Sequence, residues 1–132
     1  MISSEATVPL VSLVCLAHNR RENVLELLAA LRVQDYGNFE VIVVDNGSQD
    51  GTAGAVEALY PHVRLMRRPE NQGMVAYNFG LAAARGEYVL VMDDDGLPGS
   101  SDWMSQVVAR FEANPRLGAV ACTVRMRDTG QV

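Results

Sequence analysis

Residues 88–96 read YVLVMDDDG: five apolar side chains run directly into three consecutive carboxylates. The apolar part is too short for a helix and lacks the polar alternation of a half-exposed strand. It therefore predicts a strand covered on both faces, as in a parallel sheet. The acids that follow repel one another and gain nothing from adjacency unless a cation or hydrogen-bond donors offset them. In open parallel sheets ligands bind beyond the carboxyl ends of the strands, which is where this reading puts Asp93, Asp94 and Asp95. Hard divalent ions such as Mg2+ or Mn2+ take one or two carboxylates and complete their shell with water and phosphate oxygens. A solvated acidic turn is the plainer alternative, and the position at the tip of a buried strand speaks against it.

Outward from this stretch two patterns alternate. Residues 10–17 (LVSLVCLA) and 40–44 (EVIVV) are further strands of the buried type, 63–66 a weaker one and 119–124 a fifth. Val24, Leu27, Leu28 and Leu31 form one apolar helical stripe, and Val56, Leu59 and Tyr60 a shorter one behind Thr52 as N-cap. A third helix carries Met74, Tyr77, Asn78 and Leu81 and is closed by Gly86 as its C′ residue. A fourth carries Trp103, Val107, Val108 and Phe111 and is stopped by Asn114-Pro115. Such alternation defines an α/β domain with helices on both faces of an open, mostly parallel sheet. With no repeat or linker, residues 1–132 read as a single domain. The fifth strand leads into residues 125–132 and the sequence stops, which suggests a piece of a longer protein.

Composition removes several classes of function. At 132 residues and 48% hydrophobic content, the chain can bury an ordinary core. A net charge of −5 argues against a nucleic-acid-binding face. All 11 cationic residues are Arg; without Lys there is no P-loop and no Schiff-base chemistry. Cys15 and Cys122 lie in apolar sequence without metal or redox spacing and read as buried, reduced thiols. No run approaches the roughly 20 apolar residues of a membrane helix. Residues 1–8 lack the features of a secretory signal. The expected setting is the cytoplasm, with any membrane association belonging to a longer parent chain.

The polar segments after the strands converge on one rim. After the first strand stand His18, Asn19, Arg20 and Arg21; after the second, Asp45, Asn46, Gly47 and Ser48. A turn explains Gly47 and Ser48. Asp45, ending a buried strand, needs partners and either completes that turn or accepts from a nucleoside's polar groups. Asn71-Gln72-Gly73 is either a turn or an anion-holding helix start. Asn78, inside that helix, is expected to reach back towards the rim. Arg20 and Arg21 either offset phosphate charge or begin a solvated helix. His62 reads as a loop residue and Trp103 as core.

In these residues the chain resembles the nucleotide-binding half of a family 2 glycosyltransferase with the GT-A, Rossmann-like fold. The matching pieces are VSLVCLAHNRRE (11–22), LLAALRVQDY (27–36), FEVIVVDNGSQDGT (39–52), NQGMVAYNFGLAAARGEYVLVMDDDGLP (71–98) and the helix through Asn114-Pro115. The resemblance implies a truncated sheet of strand order 3-2-1-4. It implies an inverting, metal-dependent transfer of a sugar, hexosyl or rhamnosyl in type, from a nucleoside diphosphate sugar to an acceptor. Carried over by position, Asp95 with Asp93 would hold the metal, and Asp93 and Asp94 the ribose side. Leu16, Ala17, His18, Asn19, Asp45 and Asn46 would line the base and ribose, with Asn71, Gly73 and Asn78 completing the donor site.

Two departures stand out. Asn46 and Gly96 occupy positions where many relatives carry acids, and DNGS with a downstream NxG points towards UDP or dTDP as the nucleotide. The acceptor site and catalytic base of the family fall in the part this sequence lacks, so the fragment alone is expected to bind donor without transferring sugar. Its uncovered apolar face suggests a homodimer. The competing reading is a non-catalytic nucleotide-sugar-binding or assembly module of the same fold.

Overall fold

The computed structural model describes residues 7–132, so most of the segment tested for a secretory signal lies outside the described residues. Four strands, β1 (Val11–Ala17), β2 (Phe39–Asn46), β3 (Arg64–Arg68) and β4 (Tyr88–Asp93), form one sheet in the order β3-β2-β1-β4. Every pairing is parallel. This is the arrangement expected from the sequence. The central position of β1 accounts for its apolar continuity, since both edges are hydrogen-bonded and both faces covered.

Alternation along β1 distributes the core. Val11, Leu13, Cys15 and Ala17 face one layer, where Val24, Leu27, Leu28 and Leu31 of α1 (Arg21–Arg32) and Met104, Val107 and Val108 of α4 (Trp103–Ala113) pack. Val56 of α2 (Thr52–Leu59) joins that layer. Val14 faces the other layer with Ile42 and Val44, beneath Ala76 and Tyr77. There a 3-10 turn (Gly73–Ala76) leads into α3 (Tyr77–Ala83). Trp103 is half-buried against the first cluster.

At the amino ends of the strands a polar knot ties the layers together. Ser12 Oγ donates to Glu40 Oε1 at 2.7 Å and accepts from the Gly86 N–H at 2.8 Å. Arg64 donates to Glu40 Oε2 at 2.9 Å and to the Ala83 carbonyl at 2.8 Å. The Arg85 N–H adds a bond to Glu40 at 2.9 Å. Burial pushes the Glu40 carboxyl upward, and the donors from Ser12, Arg85 and Arg64 together outweigh it and hold the group below its ordinary range.

Four sequence expectations are corrected. Residues 119–124 form no strand and are largely exposed. Apolar composition qualifies a segment as a strand, but a strand exists only on a neighbour's ladder, and this segment pairs with none. Cys122, expected buried on that strand, is therefore exposed, whereas Cys15 is buried and its thiol is raised by desolvation and the nearby acids.

The third helix begins later than expected, and its buried face is Ala76, Tyr77 and Gly80, with Met74 79% exposed and Leu81 41% exposed. The reason is the close approach of α3 to the sheet: a Cβ on Gly80 would stand 2.4 Å from Val14 Cγ1. Gly86 does not end that helix, whose cap is Ala84 in an extended conformation. What requires glycine there is space, because a Cβ would meet Ser12 N at 2.5 Å.

Thr52 is the first residue of α2 rather than its cap; Gly51, at φ 84°, takes that place. No helix among the described residues is long and apolar enough to cross a membrane.

Candidate functional site

The carboxyl ends of β1, β2 and β4 meet the segment before α3 in an open cleft of about 430 Å³. Its walls are Leu16, His18 and Arg20 from one side, Asn46, Asn71, Gly73 and Met74 from another, and Asp93, Asp94 and Asp95 from the third. The rim anticipated from the sequence is thus formed. Parallel pairing of β1 with both β2 and β4 makes this inevitable, since Ala17 aligns with Asp45 and Leu16 with Asp93.

The three acids are divided among different partners. Strand alternation turns Asp93 towards α3, where it accepts from the Tyr77 hydroxyl at 2.5 Å. The chain then turns, with the Gly96 N–H donating to the Asp93 carbonyl at 3.0 Å, and this swings Asp94 and Asp95 the other way. Asp94 is buried and accepts from the His18 N–H at 3.2 Å. Its other oxygen lies 3.3 Å from Arg20 Nη1, and Asp95 lies 2.7 Å from the same nitrogen. Burial first, and then the bond to Asp93, push the Tyr77 hydroxyl up, so it stays protonated as a donor.

A second set of bonds fixes the loops. His18 Nδ1 donates to the Asn46 carbonyl at 2.9 Å, which leaves Nε2 to accept from the Asn19 amide at 3.3 Å. Asn19 sits at φ 49°, a conformation its short amide tolerates. It accepts from the Gln49 N–H at 2.7 Å while its own N–H donates to Ser48 Oγ at 3.0 Å. Asp50 accepts from the first N–H of both α1 (Arg21) and α2 (Thr52), at 2.9 and 3.1 Å, and these bonds hold its carboxyl below the ordinary range.

Asn46 is committed to the loop opposite. Its amide nitrogen donates to Asn71 Oδ1 at 2.9 Å and to the Gly73 carbonyl at 3.1 Å, and its oxygen accepts from the Gln72 N–H at 3.0 Å. An acid at this position would confront two acceptors without a proton to offer. Asn46→Asp is expected to destabilise the fold by about 2–4 kcal/mol, read from urea unfolding, because a charge is left facing oxygen lone pairs in a buried setting. An unchanged midpoint would show that residues 71–73 are held by other means.

Of the residues expected at the donor, Leu16, His18, Asn46, Asn71, Gly73, Asp93 and Asp94 line this cleft, as does Asp95. Ala17 is fully buried in the α1 layer, and Asp45 lies buried behind the rim, accepting from the Ser48 N–H at 3.3 Å. Asn19 acts as a brace between loops. Asn78 is exposed on α3 and does not line the cleft. Two contributors were not anticipated: Met74, on the 3-10 turn, and Tyr77, whose hydroxyl at Asp93 was hidden by its place in an apolar stripe.

The metal expected here can be tested against this geometry. Among the described residues no group of three or more His, Cys, Asp or Glu side chains is arranged around a common point. Asp94 and Asp95, however, converge on one cationic nitrogen. A pair of carboxylates with open coordination elsewhere suits Mg2+ or Mn2+ shared with phosphate oxygens, and does not suit an all-protein cage.

The family model of glycosyl transferase family 2 matches residues 12–131. The chain belongs to glycosyl transferase family 2. Its sheet order is that of the GT-A structures it resembles. This family 2 chain is 34% identical over 110 residues to glycosyltransferase AglE of Haloferax volcanii, covering 79% of this chain and 36% of that protein. It is similar to the mannosyltransferase PcManGT from Pyrobaculum calidifontis, solved in complex with GDP-Man and Mn2+, with a TM-score of 0.83 and 34% identity. That match covers 93% of this chain and 38% of the other. S. aureus TarS 1–349 in complex with UDP, at 24% identity and a TM-score of 0.74, shares the fold over 88% of this chain and 38% of its own. The chain thus spans less than two-fifths of the length of each of these relatives.

Proposed function

We propose that this chain is the donor-binding part of an inverting, metal-dependent glycosyltransferase that takes a nucleoside diphosphate sugar. The observation that carries the reading is the meeting of Asp94 and Asp95 on one cation-sized point, beside His18, at the carboxyl rim of a parallel sheet. Family membership supports it, as does the similarity to a mannosyltransferase solved with GDP-Man and Mn2+.

In this reading Asp95 holds Mn2+ or Mg2+, with Asp94 beside it and Asp93, kept in place by Tyr77, on the ribose side. Asp93 was expected to share the metal with Asp95; its bond to Tyr77 favours the ribose role. The metal's contribution when bound is to neutralise charge on the departing diphosphate. The chain's own residues bind and orient. Leu16 and Met74 offer apolar surface to a base, while the Asn46–Asn71–Gly73 clamp closes the cleft from the α3 side. Asp45, with one backbone donor at 3.3 Å, keeps acceptor capacity for a base edge behind the rim. Sugar transfer further requires a base to deprotonate the acceptor hydroxyl, and we assign that role to no residue of this chain.

Calorimetric titration with UDP, dTDP and GDP, each with and without Mn2+, tests the proposal. Binding of at least one nucleotide that strengthens about tenfold or more with the metal is expected, UDP or dTDP leading. A preference for GDP would change the base assignment alone. Failure of all three with either Mn2+ or Mg2+ would overturn the donor-site reading in favour of a non-catalytic module.

A further inference from the structure

Arg20 is rooted by its backbone, whose carbonyl accepts the Val24 N–H at 3.0 Å and so starts α1, but its side chain is half exposed. Its Nη1 stands 3.3 Å from Asp94 and 2.7 Å from Asp95. A divalent ion contacting both carboxylates would have to occupy the same ground, and two cations cannot share it.

The guanidinium cannot resolve the conflict by losing its proton, since arginine keeps its charge at any working pH. It must move. Moving is cheap, because exposed ion pairs contribute little, and the root at the helix start stays fixed while the side chain swings. The remaining acid of the cleft, Asp93, is engaged by Tyr77. Arg20 is the only arginine lining the cleft among the described residues, and the chain has no lysine. Arg127, which borders the adjoining hollow, is paired with Glu26 at 2.8 Å. An incoming diphosphate is the anion left for Arg20, and a planar guanidinium matches phosphate oxygens with two parallel bonds.

We propose that Arg20 is a displaceable counter-ion: it neutralises Asp94 and Asp95 while no metal is bound, yields them to the divalent cation, and then pairs with the donor's diphosphate. This rests on the donor-site reading above and adds to it an order of events, in which metal and nucleotide enter together because each removes a cost of the other's binding. An arginine with a purely structural role would not give opposite responses to the two ligands.

The test compares the wild-type chain with Arg20→Ala and Arg20→Lys by calorimetry, first with Mn2+ alone, then with UDP, dTDP and GDP at saturating Mn2+. Arg20→Ala is expected to bind Mn2+ alone several-fold more tightly and the nucleotide about tenfold more weakly, with Arg20→Lys between it and wild type on both. Circular dichroism melts in Mn2+ verify that each variant is folded. Should both affinities fall together, or neither move while the wild type binds nucleotide in a metal-dependent way, Arg20 is an ordinary surface pair and the proposal fails alone. If the wild type binds no nucleotide with either metal, this proposal and the donor-site reading fail together.

Discussion

Asp95→Ala should abolish metal-dependent nucleotide binding while leaving the fold intact. The carboxylate is 55% exposed, sits in a turn beyond β4 and makes its one side-chain contact with Arg20, itself half exposed. Nothing in the core depends on it, so the denaturation midpoint is expected to stay where it is. Binding is another matter. A single carboxylate remaining on the cation side, Asp94, already accepts from the His18 N–H and offers a divalent ion too little to hold a diphosphate against a cluster of negative charge. Loss of one ligand and its charge should weaken nucleotide affinity in Mn2+ by about 100-fold or more, and leave the weak metal-free binding nearly unchanged. Calorimetry at matched protein stability reads both. Wild-type affinity in the variant would mean that the cation, if used at all, is held elsewhere.

Gly47→Ala should have the largest effect on stability among changes near the site. Gly47 follows β2 at φ 74°, where any side chain is strained by about 1–2 kcal/mol. A Cβ there would also stand 2.7 Å from the Glu70 carbonyl carbon and 2.8 Å from Asn71 N, backbone atoms that cannot step aside as a flexible side chain could. Overpacking of this kind adds about 1–3 kcal/mol. The sum, roughly 2–5 kcal/mol, is a substantial share of the ~5–15 kcal/mol that holds an ordinary domain together. Gly51 provides the control: it has φ 84° but open space around its missing Cβ, so Gly51→Ala should show the strain without the clash. Urea unfolding of the two variants separates the contributions. Equal losses would mean that residues 70–71 adjust freely. Because Asn71 is part of the cleft, Gly47→Ala should also weaken nucleotide binding, which Gly51→Ala should not.

The sheet was legible because its strands are covered on both faces, so that runs such as EVIVV carry the signal in composition alone. The α1 stripe was equally plain, since the predicted Val24, Leu27, Leu28 and Leu31 are the residues it buries. Sequence went astray where a neighbour decides the outcome. The 119–124 segment looks like a strand in isolation, and no ladder receives it. On α3, apolar spacing pointed to Met74 and Leu81, but the sheet admits the helix only through Gly80, and the contact face rotates accordingly.

The site shows the same division. Position at strand ends put the acids on the rim, because pairing follows from topology. Their separate partners could not be read, because Tyr77 and Arg20 reach them across 16 and 74–75 residues of sequence. Asn46 was read as a ligand to the base, whereas its amide is spent on the opposing loop, a role visible only once both loops are in place.

The knot around Glu40 lies at the end of the sheet away from the cleft, and none of its bonds involves a residue that lines it. Ser12, Arg64 and the Arg85–Gly86 backbone secure how the layers stand, independently of what the far loops carry. A chain built this way can change the chemistry it reads at one end without renegotiating its architecture at the other, which makes the scaffold tolerant of new specificities.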